Sequence, residues 1–190
     1  MSRLSRRTEY TFWMNDEPYT SLYTVLELLA AQSQTYEPHH LHRCDGKDGF
    51  DWEIVVPWYS HGCSGGDQSG HHYYQFDPAI AERLVEYELV TPHKEVGWGY
   101  TTEVKDKLVI SSKGSEELRR FMHDMRTKAE SLLRPGVHTD LTGTIEYRGY
   151  SRDDHGSGPL HFLFEMPTGG RCRVYPEEEK IVLPEVEAAA

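Results

Sequence analysis

Six of the eleven histidines, His39, His40, His42, His61, His71 and His72, fall between Ser33 and Gln75, together with two of the three cysteines. Within that stretch one triplet recurs, as His42-x-Cys44 and His61-x-Cys63. Imidazole plus thiolate is a ligand chemistry that suits zinc, so His42, Cys44, His61 and Cys63 are the candidate metal set. The spacing is not the paired Cys-x-x-Cys ladder, however, and both triplets stand beside turn-forming residues. The competing expectation is histidines on polar loops and cysteines as small buried side chains, with no metal and no other cofactor. Cys63 or Cys44 could also serve as a thiolate nucleophile if the fold placed a base beside it. Cys63 lies in His61-Gly62-Cys63-Ser64-Gly65-Gly66, where backbone amides could receive an anion, although the same composition makes a plain turn. A phosphate-cradling Gly-x-x-x-x-Gly-Lys-Ser/Thr and a dinucleotide fingerprint are both absent. A cysteine- or metal-dependent enzyme is therefore an alternative, and a non-enzymatic protein is the expectation.

Charge carries more information than the motifs. The net charge is −11, spread unevenly: residues 1–71 hold 5 Lys/Arg against 10 Asp/Glu, residues 72–134 hold 10 against 11, and residues 135–190 hold 5 against 10. Nucleic-acid binding draws most of its affinity from basic side chains that neutralise phosphates, so this balance argues against direct DNA binding. It fits a basic partner instead, a protein or a nucleoprotein complex. The contact candidates are the carboxylates Asp77, Glu82 and Glu86, the acidic cluster Asp45, Asp48 and Asp51, and the aromatic Trp98. Should charge fail to carry the contact, Trp58, Tyr59, Tyr73 and Tyr74 are the further aromatic anchors.

These residues need elements to hold them. Asp77-Pro78 opens a helix, with an acceptor at the N-cap and a proline at the first turn; Ile80, Leu84 and Tyr87, with Val85 and Leu89 alongside, recur at helical spacing until Thr91-Pro92. Val96 to Tyr100 and Lys107 to Ile110 read as two strands of a hairpin joined by the polar Thr101 to Asp106. Ser111 to Gly114 caps a further helix, in which Leu118, Phe121, Met122, Met125, Ala129, Leu132 and Leu133 share one face before Pro135-Gly136. Glu82-Arg83-Leu84-Val85-Glu86-Tyr87-Glu88-Leu89-Val90 and Leu108-Val109-Ile110-Ser111-Ser112-Lys113-Gly114 resemble phrases of winged-helix families, over residues 77–133 only. The resemblance implies a recognition helix, a wing and a following helix, with Glu88 where such proteins usually carry a helix-ending glycine.

An earlier helix, capped near Thr20 or Ser21 with Leu22, Val25, Leu26 and Leu29 as its stripe, would be the first of that core. Tyr10 to Trp13 reads as an edge strand. Residues 33–75 then read as a Gly-rich insertion with one strand, Trp52 to Trp58. After Pro135-Gly136 four short strands follow, at Thr142 to Tyr150, Leu160 to Met166, Arg171 to Tyr175 and Ile181 to Leu183. In the second of these Leu160, Phe162, Phe164 and Met166 fall on one side, with His161 and Glu165 on the other.

The expected class is α+β: a winged-helix-like domain over residues 1–134 with an insertion at 33–75, a small antiparallel β-domain over 135–184, and a disordered tail at 185–190. No apolar run approaches the about 20 residues of a membrane span, no apolar segment follows the N-terminal arginines as in a signal peptide, and an odd cysteine count without a close pair argues against a disulfide framework. A cytoplasmic location is expected. The function this supports is binding through protein contacts, as a regulator or an inhibitor. A phage-type anti-defence protein, anti-CRISPR-like or a DNA mimic, would fit. A winged-helix transcription regulator is the alternative.

Overall fold

Helix, strand and turn residues assemble into two units that divide between Leu118 and Arg119. The computed structural model describes residues 8–13, 18–33, 35–44, 52–61, 67–97, 100–133, 145–153, 158–167 and 170–183. The candidates Asp45, Asp48, Asp51, Cys63 and Trp98, and the tail at 185–190, lie outside them.

The first unit is a six-stranded sheet with helices. Its strands are β1 (Thr8–Trp13), β2 (His40–Arg43), β3 (Trp52–Ser60), β4 (Gln68–Tyr74), β5 (Val90–Gly97) and β6 (Tyr100–Ile110), in the order β1-β4-β3-β2-β6-β5. Pairing is antiparallel except between β1 and β4. Helices α1 (Leu22–Ala30) and α2 (Pro78–Glu86) supply Val25, Leu26, Leu29, Ile80 and Leu84 to a core with Leu41, Ile54, Phe76 and Leu108. Leu41 pairs with both Ile54 and Leu108, so one buried row crosses three strands. Because side chains alternate along a strand, His40 and His42 emerge on the opposite face.

The stretch expected to be an insertion is thus the middle of the sheet. Besides β3, which was legible, it contributes β2 and β4. The hairpin also differs: β5 and β6 run to Gly97 and from Tyr100, so Thr101 to Asp106 is strand rather than turn. Pro92 is tolerated because β5 is an edge strand. Pro57 sits in β3 beyond Val55, where the pairing with β2 has ended, so its missing N–H removes no β2 bond.

Asp77 caps α2 by accepting from the Ala79 N–H at 2.9 Å. At the other end Glu88 takes φ 56°, and Leu89 N–H donates to the Leu84 carbonyl at 2.8 Å while Glu88 N–H donates to Val85 at 3.0 Å. That is a Schellman closure with glutamate at the left-handed position. Ser111 then ties this turn to α3 (Ser112–Leu132): its hydroxyl donates to the Glu88 carbonyl at 2.7 Å and accepts from Gly114 N–H at 2.9 Å, and its N–H donates to Leu89 at 2.9 Å. A Cβ at position 114 would overlap the Leu89 carbonyl oxygen, so glycine is required by close approach.

In the second unit β7 (Glu146–Arg152), β8 (Leu160–Glu165), β9 (Arg171–Tyr175) and β10 (Lys180–Val182) form an antiparallel sheet in the order β10-β9-β8-β7. Its core joins Phe162, Phe164, Cys172 and Val174 to Ala129, Leu132 and Leu133 of the α3 end, with Phe121, Met122 and Met125 packed against them. The apolar stripe of α3 therefore serves two cores: Leu118 packs in the first and the residues from Phe121 onward in the second. That is why the units divide inside the helix and not after it. No helix among the described residues is long and apolar enough to cross a membrane.

The turn chemistry yields a paired expectation. Glu88→Gly should raise unfolding free energy by about 0.5 to 1 kcal/mol, because glycine occupies the left-handed region without steric cost. Gly114→Ala should lower it by about 2 kcal/mol or more through the overlap at Leu89. Urea denaturation followed by circular dichroism measures both.

Candidate functional site

The polar face of the first sheet gathers titratable side chains that lie far apart in sequence. Glu37, in the loop before β2, accepts from Lys107 Nζ of β6 at 2.7 Å through Oε1. Its Oε2 lies 3.3 Å from His71 Nε2 of β4, which donates in the tautomer that carries the proton there. The buried His40 adds its Nδ1 at 3.8 Å from Oε1, and the same nitrogen is 3.0 Å from the Pro38 carbonyl. Burial alone would raise the Glu37 carboxyl, but the hydrogen bonds from Lys107 and His71, with the charges of Lys107 and His40, outweigh it and hold the group below the ordinary glutamate range. Burial pushes His40 down, against its bond to Pro38 and the Glu37 charge.

Beside this cluster β2 ends and the chain turns away, leaving the far half of β3 uncovered. A cleft of about 720 Å³ opens there, walled by Tyr36, Glu37, Pro57, Tyr59, His61 and His71. Tyr36 is fully exposed at its lip. The Tyr59 and His61 rings meet edge to face with centroids 4.7 Å apart, and His61 Nδ1 lies 3.1 Å from Asp67 Oδ1. Local hydrogen bonds of 3.1 Å among Ser33, Thr35 and Glu37 fold the loop that carries Tyr36.

Of the candidate metal ligands, His42 and His61 are not brought together. His42 pairs with Glu53 near one end of β3, whereas His61 follows Ser60 at the other, about 26 Å away at 3.3 Å per residue. His42-x-Cys44 and His61 cannot share one ion, and among the described residues no three His, Cys, Asp or Glu side chains gather to hold one. Cys44 Sγ points to the His42 carbonyl at 3.9 Å, and burial raises the Glu53 carboxyl nearby, with His42 and Cys44 opposing the rise.

Among the contact candidates, Glu82 and Glu86 are exposed on α2, one turn apart. Asp77 is committed to its own helix as the cap. Two residues expected in the apolar stripe face outward: Val85 is 52% and Tyr87 48% exposed, because the helix stops at Glu86 and the core is closed by Ile80, Ala81 and Leu84. Of the further aromatic anchors, Tyr59 lines the cleft and Tyr74 stacks on Tyr19 at 5.8 Å, a pairing in which burial lifts the Tyr19 hydroxyl to about 12.

The second unit holds a smaller cluster. His161, on the side of β8 opposite Phe162 and Phe164 as its alternation predicts, is only 4% exposed. Its Nδ1 is 3.4 Å from Asp153 Oδ1, and its ring lies 5.1 Å from that of Tyr175, whose hydroxyl donates to Asp153 Oδ2 at 2.9 Å. Burial pushes His161 down, with Asp153 opposing, and pushes Tyr175 up.

No protein family, no curated protein and no solved structure matches this chain. The chemistry of the two sites rests on their own geometry. Glu37 and Tyr36 were missed in the sequence because neither belongs to a motif: Lys107 is 70 residues from Glu37 and His71 is 34.

Glu37→Gln should cost about 1 kcal/mol of stability near pH 7, a charged hydrogen-bond contribution reduced by partial exposure. A depressed carboxyl stabilises the fold above its unfolded pKa, about 4.3, and that contribution is lost as pH falls through the folded value. The wild-type and Glu37→Gln stabilities should therefore draw together as pH falls below about 4.3 and meet only below the folded value.

Proposed function

We propose that the protein is a non-enzymatic binding protein that meets a basic partner through the outer face of α2. The observation that carries this reading is the composition of that face. Glu82 and Glu86 stand exposed around Val85 and Tyr87, two apolar side chains left about half uncovered. An aromatic contact ringed by charge is how many protein interfaces divide their work: the ring is desolvated and supplies affinity, while the carboxylates set register and speed encounter.

The order α2, β5–β6, α3 is consistent with the back half of a winged helix, with β3 and β4 in the place of its second short helix. In this reading the recognition helix contacts protein. A carboxylate surface of this kind suits an inhibitor that occupies the basic channel where a host nucleoprotein complex holds phosphates, as an anti-defence DNA mimic would. The long β5–β6 ribbon after α2 favours the second reading, a DNA-binding regulator. Against it, the outer positions of α2 and its capping turn, Glu82, Arg83, Glu86 and Glu88, present three acids to one base.

The two readings part in one set of measurements. The purified chain should give no mobility shift with duplex DNA at physiological salt; a shift that weakens steeply with added salt would favour the regulator. Against the partner captured from the native host, calorimetry should find Glu82→Lys/Glu86→Lys and Tyr87→Ala each weaker by about 2 kcal/mol, with unchanged circular dichroism. Full-strength binding by both variants would sink the α2 reading. Asp77→Lys is unsuited to this test, since loss of the cap alone costs about 1 kcal/mol.

A further inference from the structure

We propose that the cleft beside Glu37 is a binding site for an arginine side chain presented by a peptide segment of another protein. This deepens the reading of a basic partner by naming the chemistry of one contact, at a place separate from α2. Three observations converge on it.

First, the wall is aromatic and acidic in the right arrangement. Tyr36 at the lip and Tyr59 on β3 offer ring faces and edges, and Pro57 gives an apolar floor. A planar guanidinium stacks on such rings and donates to carboxylates in a fixed fork, which an ammonium cannot do as well. The chain already packs this pair elsewhere: Arg126 Cζ sits 4.0 Å from the Tyr147 ring centroid.

Second, the wall holds a carboxylate, and the lysine paired with it lies outside the lining. Glu37 is part of the wall; its oxygens each accept one hydrogen bond, from Lys107 outside the lining and from His71 within it, and a carboxylate with four lone-pair sites keeps capacity for a further donor. Asp67 adds a second carboxylate behind His61. With a net charge of −11 the chain as a whole attracts a cationic segment.

Third, the cleft is built on strands. Pro57, Tyr59 and His71 stand on the paired β3 and β4, and the loop that carries Tyr36 borders them. At about 720 Å³ it exceeds one arginine side chain, leaving room for flanking backbone.

The test is a titration of the full chain with Ac-Gly-Arg-Gly-NH2 and with its Gln and Glu counterparts, followed by intrinsic fluorescence and amide NMR shifts. The Arg peptide should bind in the low-millimolar range, with the Gln peptide roughly tenfold weaker, as a cation on an aromatic wall requires. Shifts should centre on Tyr36, Tyr59 and His71. Tyr36→Ala, an exposed change that leaves the fold intact, should weaken the Arg peptide severalfold, and Tyr59→Phe should retain it. Equal affinity for Arg and Gln peptides, tighter binding of the Glu peptide, or an unchanged Tyr36→Ala titration would each overturn the proposal. Glu82→Lys/Glu86→Lys should leave this titration unchanged. Failure at the cleft with a loss of partner binding in that variant would remove this inference and leave the α2 reading standing, and the converse result would do the reverse.

Discussion

Leu41 is the contact on which the first unit depends. It sits at 0% exposure in a strand of only four residues, paired with Ile54 on one side and Leu108 on the other. Among the described strands, β2 joins the β1-β4-β3 half of the sheet to the β6-β5 ribbon. Its register spans four residues against β3 and two against β6, where β3 and β4 register over seven, so the hydrophobic row through Ile54, Leu41 and Leu108, in one core with Leu26, Leu29 and Leu84, does much of the holding. A cavity in that row would loosen the sheet at its narrowest point.

The brevity of β2 has a second effect. A longer strand would have covered Pro57 and Tyr59; because it stops at His40, the preceding loop instead folds Glu37 over the polar face and a cleft remains. Glu37 answers two needs there. Its carboxylate satisfies Lys107 and His71 on strands separated by two others, and it closes one wall of the cleft. A partly buried carboxylate between cations stays ionised because the hydrogen bonds outweigh the desolvation, the same balance that positions charged groups in binding sites.

In the second unit the physical theme is reversed: the sheet is held by apolar packing on one face, and the other buries His161 against Tyr175. A helix of 21 residues gives its first turns to one core and its later turns to another, each needing only part of the stripe. Ser111 and Gly114 anchor its start against the end of α2, where backbone approaches too closely for any side chain at 114.

Local signals carried much of this fold. Pro78 after an aspartate, the 3.6-residue periods of the three helices, the alternation of Leu160, Phe162, Phe164 and Met166, and the apolar run of β3 each determined an element by themselves, because each depends on neighbours within a few residues. The mixed α+β class followed from their order. Strands β2 and β4 were not legible: in His-Leu-His-Arg the core side offers one aliphatic residue, Leu41, and in Gln-Ser-Gly-His-His-Tyr-Tyr it carries Gly70 and His72, so no apolar alternation shows, and their pairing comes from partners elsewhere in the chain. The hairpin turn was misplaced because an exposed ribbon is as polar as a loop. The cleft, too, was decided only in three dimensions. His-x-Cys spacing suggested a site, but the register puts His42 and His61 near opposite ends of β3, while Glu37, Tyr36, Lys107 and His71, which carry no motif, were brought together by strand order. Side-chain periodicity is a property of the local chain; which faces meet, and which strand ends early enough to leave a cleft, depends on long-range packing that no short stretch encodes.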